Sequence, residues 1–214
     1  MGFRIVYSGG EGLLEEKKSK FIALIEPVTD ADRAMEILAA RKKQYWDARH
    51  NCFAYVIGDR GEISRCSDDG EPSGTAGRPM LDVLTGEGIT NVLAVVTRYF
   101  GGVLLGTGGL VRAYSGAVRN ALENSIVLER TPGILMKVQT DYSGYGRIRD
   151  QLDTGGIPVT DTSFTDNVEV SFICTQTQLE GVRKMLMETT GGTAGILDEK
   201  DIFFGMDKGS AIIL

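Results

Sequence analysis

The segment Thr97–Tyr114, TRYFGGVLLGTGGLVRAY, decides how the first half of this chain folds. It begins in the apolar run VLAVVTRYF, and five of the nine residues from Gly101 to Gly109 are glycine. A continuous apolar run predicts a buried strand. From Leu110 to Glu123 the apolar residues recur at helical spacing, which predicts an amphipathic helix. The sequence therefore predicts a strand, a glycine-rich crossover and a helix.

Such a crossover lies where phosphate-binding loops are found, but it matches neither standard nucleotide motif. A P-loop needs a lysine where Thr107 stands, and the dinucleotide fingerprint needs a glycine where Val111 stands. Two hypotheses stay open, because the free amides at the helix start suit an anion while glycine also allows tight packing. The candidate residues of the anion hypothesis are Arg98, Gly101, Gly102, Gly106, Thr107, Gly108, Gly109 and Arg112.

A second polar loop, SDDGEPSGTAGRP, follows a predicted hairpin and precedes a short predicted helix at Pro79–Leu84. Its three carboxylates within four positions could hold a hydrated Mg²⁺. The same residues are ordinary turn formers, and a hydroxyl of the loop could cap the helix. Another alternative makes Ser73 a nucleophile with His50 as its base. The candidate binding residues here are His50, Asn51, Asp68, Asp69, Glu71, Ser73 and Thr75.

Composition limits the class of protein. The 214 residues are 42% hydrophobic and 24% charged, which is typical of a packed globular chain. No stretch of 18 apolar residues and no signal-peptide pattern occurs, so we expect a cytoplasmic protein without a membrane contact. The single histidine and three cysteines without a CxxC pair argue against zinc, and we expect neither metal nor cofactor.

Charge is unevenly distributed along the chain. Residues 1–130 carry 16 Lys+Arg and 17 Asp+Glu, whereas residues 131–214 carry 7 and 12. An acidic chain is a poor non-specific nucleic-acid binder, so any RNA contact requires a local basic patch. The alternative for the longer basic run is a solvated helix face. The patch candidates are Lys17, Lys18, Lys20, Arg41, Lys42, Lys43 and Arg49.

The pattern resets near Thr131-Pro132-Gly133, which predicts a domain boundary. Beyond it, strands and helices alternate in the order β-α-β-β-α-β of a ferredoxin-like domain. We therefore expect domains at residues 1–130 and 131–214. The second has short loops and no cluster of catalytic side chains, which favours an interaction or positioning module.

Four segments in this order, EEKKSKFIA, ARHNCFAYVIG, SDDGEPSGTAGRPML and VVTRYFGGVLLGTGGLVRAYSGAV, resemble the IMPACT family, in bacteria the YigZ type. The resemblance covers about residues 1–125 and implies an α+β fold. It implies an N-terminal ribosomal protein S5 domain 2-like domain and a C-terminal ferredoxin-like βαββαβ domain. Both folds resemble late domains of elongation factor G. The family has no established catalytic residues.

Eukaryotic relatives regulate translation under stress through an additional N-terminal RWD domain, for which we expect no room in this chain. The resemblance therefore implies a translation-associated regulatory protein that contacts the ribosome, RNA or a translation-associated protein. One alternative is an enzyme that acts on a small phosphorylated or carboxylated ligand between the two polar loops. Another is an adaptor that binds proteins through the ferredoxin-like domain. The sequence favours binding over catalysis and leaves the oligomeric state open.

Overall fold

The computed structural model describes residues 3–214, which divide into two compact units between Leu128 and Glu129. Each unit combines helices with antiparallel strands, so the predicted α+β, two-domain organisation is confirmed. The division falls inside a strand, Ile126–Thr140. The segment 131–133, which we interpreted as a break, continues this strand instead of forming a turn.

The first unit is built on an antiparallel sheet of five strands in the order β2-β3-β7-β4-β5. A further pair, β1 with β6, is parallel. The strands are β1 (Phe3–Ser8), β2 (Gly10–Glu16), β3 (Ser19–Pro27), β4 (His50–Ile57), β5 (Ile63–Ser67), β6 (Ile89–Thr90) and β7 (Val92–Tyr99). The helices are α1 (Ala31–Gln44), α2 (Gly77–Gly86) and α3 (Gly106–Glu123).

Helices cover both faces of this sheet, which explains why β4 and β7 read as continuous apolar runs. In β4, Cys52, Ala54 and Val56 belong to the core cluster that also holds residues of α2 and α3. The alternate residues Phe53 and Tyr55 belong to the cluster that includes α1. Since successive side chains of a strand point to opposite faces, one apolar strand serves two cores.

Helix α1 begins directly after its N-cap residue, Asp30. The carboxylate of Asp30 accepts a hydrogen bond of 2.7 Å from the amide of Arg33, as an N-cap residue does. The predicted helix at the glycine segment is longer than expected, because α3 already begins at Gly106.

Strands β2 and β3 form a hairpin whose first strand the sequence pattern missed. Its two-residue turn is Lys17-Lys18, and Glu16 pairs with Ser19. Both lysines have positive φ, 47° and 65°, as a type I′ turn requires. Such turns usually carry Asn-Gly, because a side chain makes this conformation costly.

The second unit has the predicted βαββαβ order and one additional strand. Its antiparallel sheet has the order β12-β11-β8-β10-β9, in which β11-β8-β10-β9 is the ferredoxin-like arrangement. Its core includes Met136, Ile148, Phe172 and Val182. The elements are β8 (Ile126–Thr140), α4 (Tyr142–Thr154), β9 (Val159–Phe164), β10 (Val168–Cys174), α5 (Leu179–Thr190), β11 (Gly195–Asp207) and β12 (Ser210–Ile213).

Within residues 3–214, none of the helices has both the length and the apolar character needed to cross a membrane.

Candidate functional site

The polar loop between β5 and α2 is held by hydrogen bonds from its own carboxylates. Asp68 accepts from the amides of Gly74, Ala76 and Gly77 at 2.8, 3.0 and 2.9 Å. Burial acts to raise the pKa of Asp68, but these three hydrogen bonds lower it below the usual value. The cap of α2 is therefore Asp68, a residue well upstream, whereas Ser73 and Thr75 were the caps that we expected.

Asp69 joins this loop to the start of β4. Its carboxylate accepts 2.7 Å hydrogen bonds from the amide of Asn51 and from the ammonium of Lys42. Its backbone carbonyl lies 2.9 Å from His50 Nδ1. Because a carbonyl only accepts, His50 donates from Nδ1, and Nε2 is the remaining ring nitrogen. The side chain of Asn51 is buried and accepts from Thr97 at 2.7 Å, so it is structural.

Glu71 forms a buried ion pair with Arg98 of β7. Its Oε1 accepts from Arg98 Nη1 at 2.6 Å and from the Tyr114 hydroxyl at 2.8 Å. The Glu71 and Arg98 side chains are 3% and 7% exposed. The Arg98 guanidinium also lies 5.3 Å from the ring centre of Phe21. This ion pair therefore joins the polar loop between β5 and α2 to the end of β7, where the glycine segment begins.

The geometry weakens three hypotheses from the sequence: a magnesium site, Ser73 as a nucleophile, and a loop hydroxyl as the cap of α2. The three carboxylates have separate protein partners instead of converging, and no group of three metal-ligating side chains lies within residues 3–214. For the nucleophile hypothesis, Ser73 is exposed, while His50 is hydrogen-bonded to the Asp69 carbonyl. For the cap hypothesis, the Thr75 hydroxyl donates to the Pro72 carbonyl at 2.7 Å. Burial raises the pKa of the neighbouring Cys52 thiol to about 12, so it is not a nucleophile near neutral pH.

The glycine segment combines a close backbone approach with a helix start. A Cβ at Gly101 would lie about 2.1 Å from the carbonyl carbon of Lys18, so only glycine fits there. The Gly101 amide also donates to Ser19 Oγ at 3.1 Å. Contrary to our expectation of a loop, residues 106–109 form the first turn of α3. Arg112 is exposed on that helix and does not line the cleft that contains Arg98.

A cleft of about 450 Å³ lies at the end of the five-stranded sheet where β7 ends and β4 begins. Two arginines and the single histidine line it, together with aromatic and apolar side chains. The pairing of His50 with Arg98 across β4 and β7 brings them together. A second cleft, of about 370 Å³ and next to Arg4, contains none of the candidate residues. The residues that line the first cleft are Asp47, Arg49, His50, Arg98, Tyr99, Phe100 and Leu104.

Large apolar side chains are exposed around this cleft. Phe100 and Leu104, which line it, are 52% and 83% exposed. Trp46, the single tryptophan of the sequence, is 82% exposed and directly precedes Asp47 of the lining. Asp47 accepts a 2.7 Å hydrogen bond from the Tyr99 hydroxyl, which raises the pKa of Tyr99 to about 12. This bond holds the segment after α1 against the end of β7.

The predicted basic patch is divided by the structure. Arg41 is buried and donates to Glu11 at 2.6 Å, so it is not a surface cation, and Lys42 pairs with Asp69. Lys43 is exposed on α1, and Lys20 lies 3.6 Å from Glu15. Arg49 lines the cleft. Lys17 and Lys18 are exposed in the hairpin turn that contacts Gly101, the residue next to Phe100.

The sequence reasoning missed four lining residues: Asp47, Tyr99, Phe100 and Leu104. For Phe100 and Leu104 a signal was present, since large apolar residues inside a glycine-rich crossover have few buried positions to occupy. The same holds for a lone tryptophan after the end of α1. Asp47 and Tyr99 gave no signal, because their hydrogen bond joins residues far apart in the sequence.

Comparison with known proteins supports the organisation in two units. The Impact N-terminal domain matches residues 17–122, and a domain of unknown function, DUF1949, matches residues 138–193. The chain is 39% identical to IMPACT family member YvyE of Bacillus subtilis over 191 residues, which are 89% of this chain and 88% of that protein. It is 44% identical to IMPACT family member YigZ of Escherichia coli over 130 residues, 60% of this chain and 64% of that protein.

A solved structure is also similar along the whole length. It is described as the crystal structure of a hypothetical protein and matches with a TM-score of 0.57 and 31% identity, over 97% of this chain and 99% of that chain. The sequence motifs, the fold and the extent of these matches agree with one another. The chain therefore belongs to the IMPACT family.

Proposed function

We propose that this protein is a translation-associated regulatory protein that contacts the ribosome or RNA through its N-terminal unit. The observation that carries the proposal is the cleft at the end of the five-stranded sheet. Arginines and exposed aromatic side chains lie together there: Arg49 and Phe100 are in the lining, and Trp46 directly precedes Asp47 of the lining. Proteins that bind single strands combine a cationic groove with aromatic side chains on which bases stack.

The family supports the same function. The resemblance described above links the IMPACT family to regulation of translation in eukaryotes. The acidic second unit, residues 131–214 with 7 Lys+Arg and 12 Asp+Glu, would be repelled by phosphates. A specific contact through the first unit is therefore favoured over a general coating of RNA.

Catalysis receives less support from the geometry. The carboxylates that a base would require are held by amides, by Lys42 and by Arg98. The alternative enzyme on a small anionic ligand predicts a stabilised melting temperature with some member of a metabolite panel. We expect no shift above that of a matched salt control, and a shift that Arg49→Ala abolishes would favour the enzyme.

The direct test is co-sedimentation of the purified protein with bacterial ribosomes at graded salt. We expect sedimentation at low salt that declines as salt rises, because counterion release drives phosphate contacts. Arg49→Ala should weaken it, since this exposed arginine lines the cleft. The matched control is Arg65→Ala, an exposed arginine on β5 at the edge of the same sheet. Absence of sedimentation at the lowest salt would remove the proposal.

A further inference from the structure

We infer that the cleft binds an unpaired nucleotide of single-stranded RNA, with its base against Phe100 and Leu104. The flanking phosphates then lie along Arg49 and the Lys17-Lys18 turn. This inference rests on the proposed function and names the form of RNA that the same site takes.

Two large apolar side chains of the cleft lining are exposed where a base would bind. Phe100 and Leu104 line one cleft and are 52% and 83% exposed, and Trp46, which directly precedes Asp47 of the lining, is 82% exposed. Every base has an aromatic face, so such side chains form stacking positions without sequence preference. A base inside a duplex is already stacked on both faces and cannot enter, whereas an unpaired base can.

The hairpin turn places two cations beside Phe100 at a cost to the fold. Lys17 and Lys18 adopt φ of 47° and 65°, a conformation that is unfavourable for a residue with a Cβ. The turn is positioned by the backbone contact between Lys18 and Gly101. Neither lysine makes an ion pair with any residue in the described part of the chain. The turn thus carries two exposed cations and lies against Gly101, the residue that follows Phe100 of the lining.

The inner wall of the cleft is rigid and offers hydrogen-bonding groups. Arg98 is held by Glu71 and lies 5.7 Å from the ring centre of Phe100. His50 is oriented by the Asp69 carbonyl through Nδ1, so its other ring nitrogen remains for a ligand. A donor such as a 2′-hydroxyl or an exocyclic amine suits that nitrogen. The volume of about 450 Å³ suits one nucleotide rather than a helix.

The test measures binding of a fluorescein-labelled octauridylate and of a blunt RNA duplex of about 16 base pairs. The protein's single tryptophan, Trp46, provides a second readout, because a base stacked near it quenches its emission. We expect the single strand to bind at least about ten-fold more tightly than the duplex and to quench Trp46. Phe100→Ala should weaken single-strand binding about 5- to 150-fold, the range that corresponds to loss of one stacking side chain.

A second variant separates charge from folding. Lys17→Asn with Lys18→Gly gives the turn its preferred residues, so the protein should fold at least as well. Binding should weaken, and the slope of log K against log salt should fall by about 1.4, since each phosphate of a single strand contributes about 0.7.

The controls lie at the other end of the sheet. Ile63 pairs with Ile57, the far end of β4 from His50, and is 53% exposed. Ile63→Ala is the control for Phe100→Ala. Arg60→Gln with Arg65→Gln removes two exposed charges and is the control for the lysine pair. Both controls should bind the octamer as the wild type does.

Equal affinity for duplex and single strand, or no effect of Phe100→Ala, would overturn the inference. If the protein sediments with ribosomes but does not bind the octamer, docking occurs through a protein surface or structured RNA. That result overturns this inference and leaves the proposed function intact. Failure in both experiments overturns both.

Discussion

The loop between β5 and α2 and the rim of the cleft lie in the same unit, and they use charged side chains in opposite ways. In the loop, the carboxylates of Asp68, Asp69 and Glu71 accept hydrogen bonds from within the protein. The donors are backbone amides, Lys42, Arg98 and Tyr114. On the rim, Lys17, Lys18 and Arg49 are exposed. A polar motif with a strong sequence pattern can therefore serve folding, while cations from separate segments form the candidate site.

The comparison predicts that changes in the loop cost stability and that changes on the rim cost binding. The largest loss is expected for Glu71→Ala. This variant leaves the Arg98 guanidinium buried without its carboxylate, which typically costs about 3–5 kcal/mol. The measurement is urea unfolding of the full chain followed by circular dichroism at pH 7.

A double variant, Glu71→Gln with Arg98→Met, is the control for that loss. It removes both charges and should recover a large part of the stability, because no charge is then buried alone. If Glu71→Ala costs less than about 1 kcal/mol, the stability of the loop does not depend on this ion pair. The proposed difference between the loop and the rim is then wrong.

Asp68→Ala is expected to cost less, about 1–2 kcal/mol, because it removes the acceptor at the start of α2. The folded-state pKa of Asp68 lies below its usual value. The ionised carboxylate therefore contributes stability above that usual value, and the contribution is lost as pH falls through the lower, folded-state pKa.

Urea unfolding at several pH values between about 2 and 7 measures this dependence. The wild type should lose more stability than Asp68→Asn as pH falls below about 4. Parallel curves for the two proteins would show that Asp68 is not the cap that the structure describes.

Unlike the loop variants, the double variant Lys17→Asn with Lys18→Gly should stabilise the protein. Relief of the strained turn, about 1–2 kcal/mol per residue, is offset in part by the greater freedom of glycine in the unfolded chain. We expect a net gain of about 0.5–1 kcal/mol in the free energy of unfolding. A loss of stability would mean that the lysines are needed for folding rather than for a ligand.

The smallest effect on stability is expected for Trp46→Ala. The side chain is 82% exposed, and surface substitutions usually change stability by less than about 0.5 kcal/mol. Binding of octauridylate, measured by anisotropy, should nevertheless weaken. A destabilisation above about 1 kcal/mol would place Trp46 in the fold instead of on the rim.

Much of the fold was predictable because local pattern and tertiary role agree. The strands β4 and β7 and the helix α3 follow from apolar periodicity, since each of them contributes to a continuous core. Strand β2 was missed because its sequence, GEGLLEE, has no strand pattern and depends on pairing with β3. Arg41 was misplaced on the surface, because only its contact with Glu11 shows that it is buried.

The candidate site was predictable in part. His50, Arg49 and Arg98 were singled out by residue type and position, and the pairing of β4 with β7 unites His50 with Arg98. Phe100, Leu104 and Trp46 were not singled out, although large apolar residues in a glycine-rich crossover and after a helix end are a signal of exposure. The protein partners of the carboxylates were not predictable, since these partners come from other elements.

By itself, the sequence determined the fold class, the two-domain organisation and the family, because these depend on periodicities and motifs that are local along the chain. The tertiary structure was needed to show which polar groups are paired within the protein and which remain exposed. Asp68 caps α2 although it lies upstream of it, and Glu71 neutralises Arg98. Gly101, next to Phe100, allows the close approach of the lysine turn. These outcomes depend on distances between residues far apart in the chain, and a charge becomes available to a ligand only where no other element has paired it.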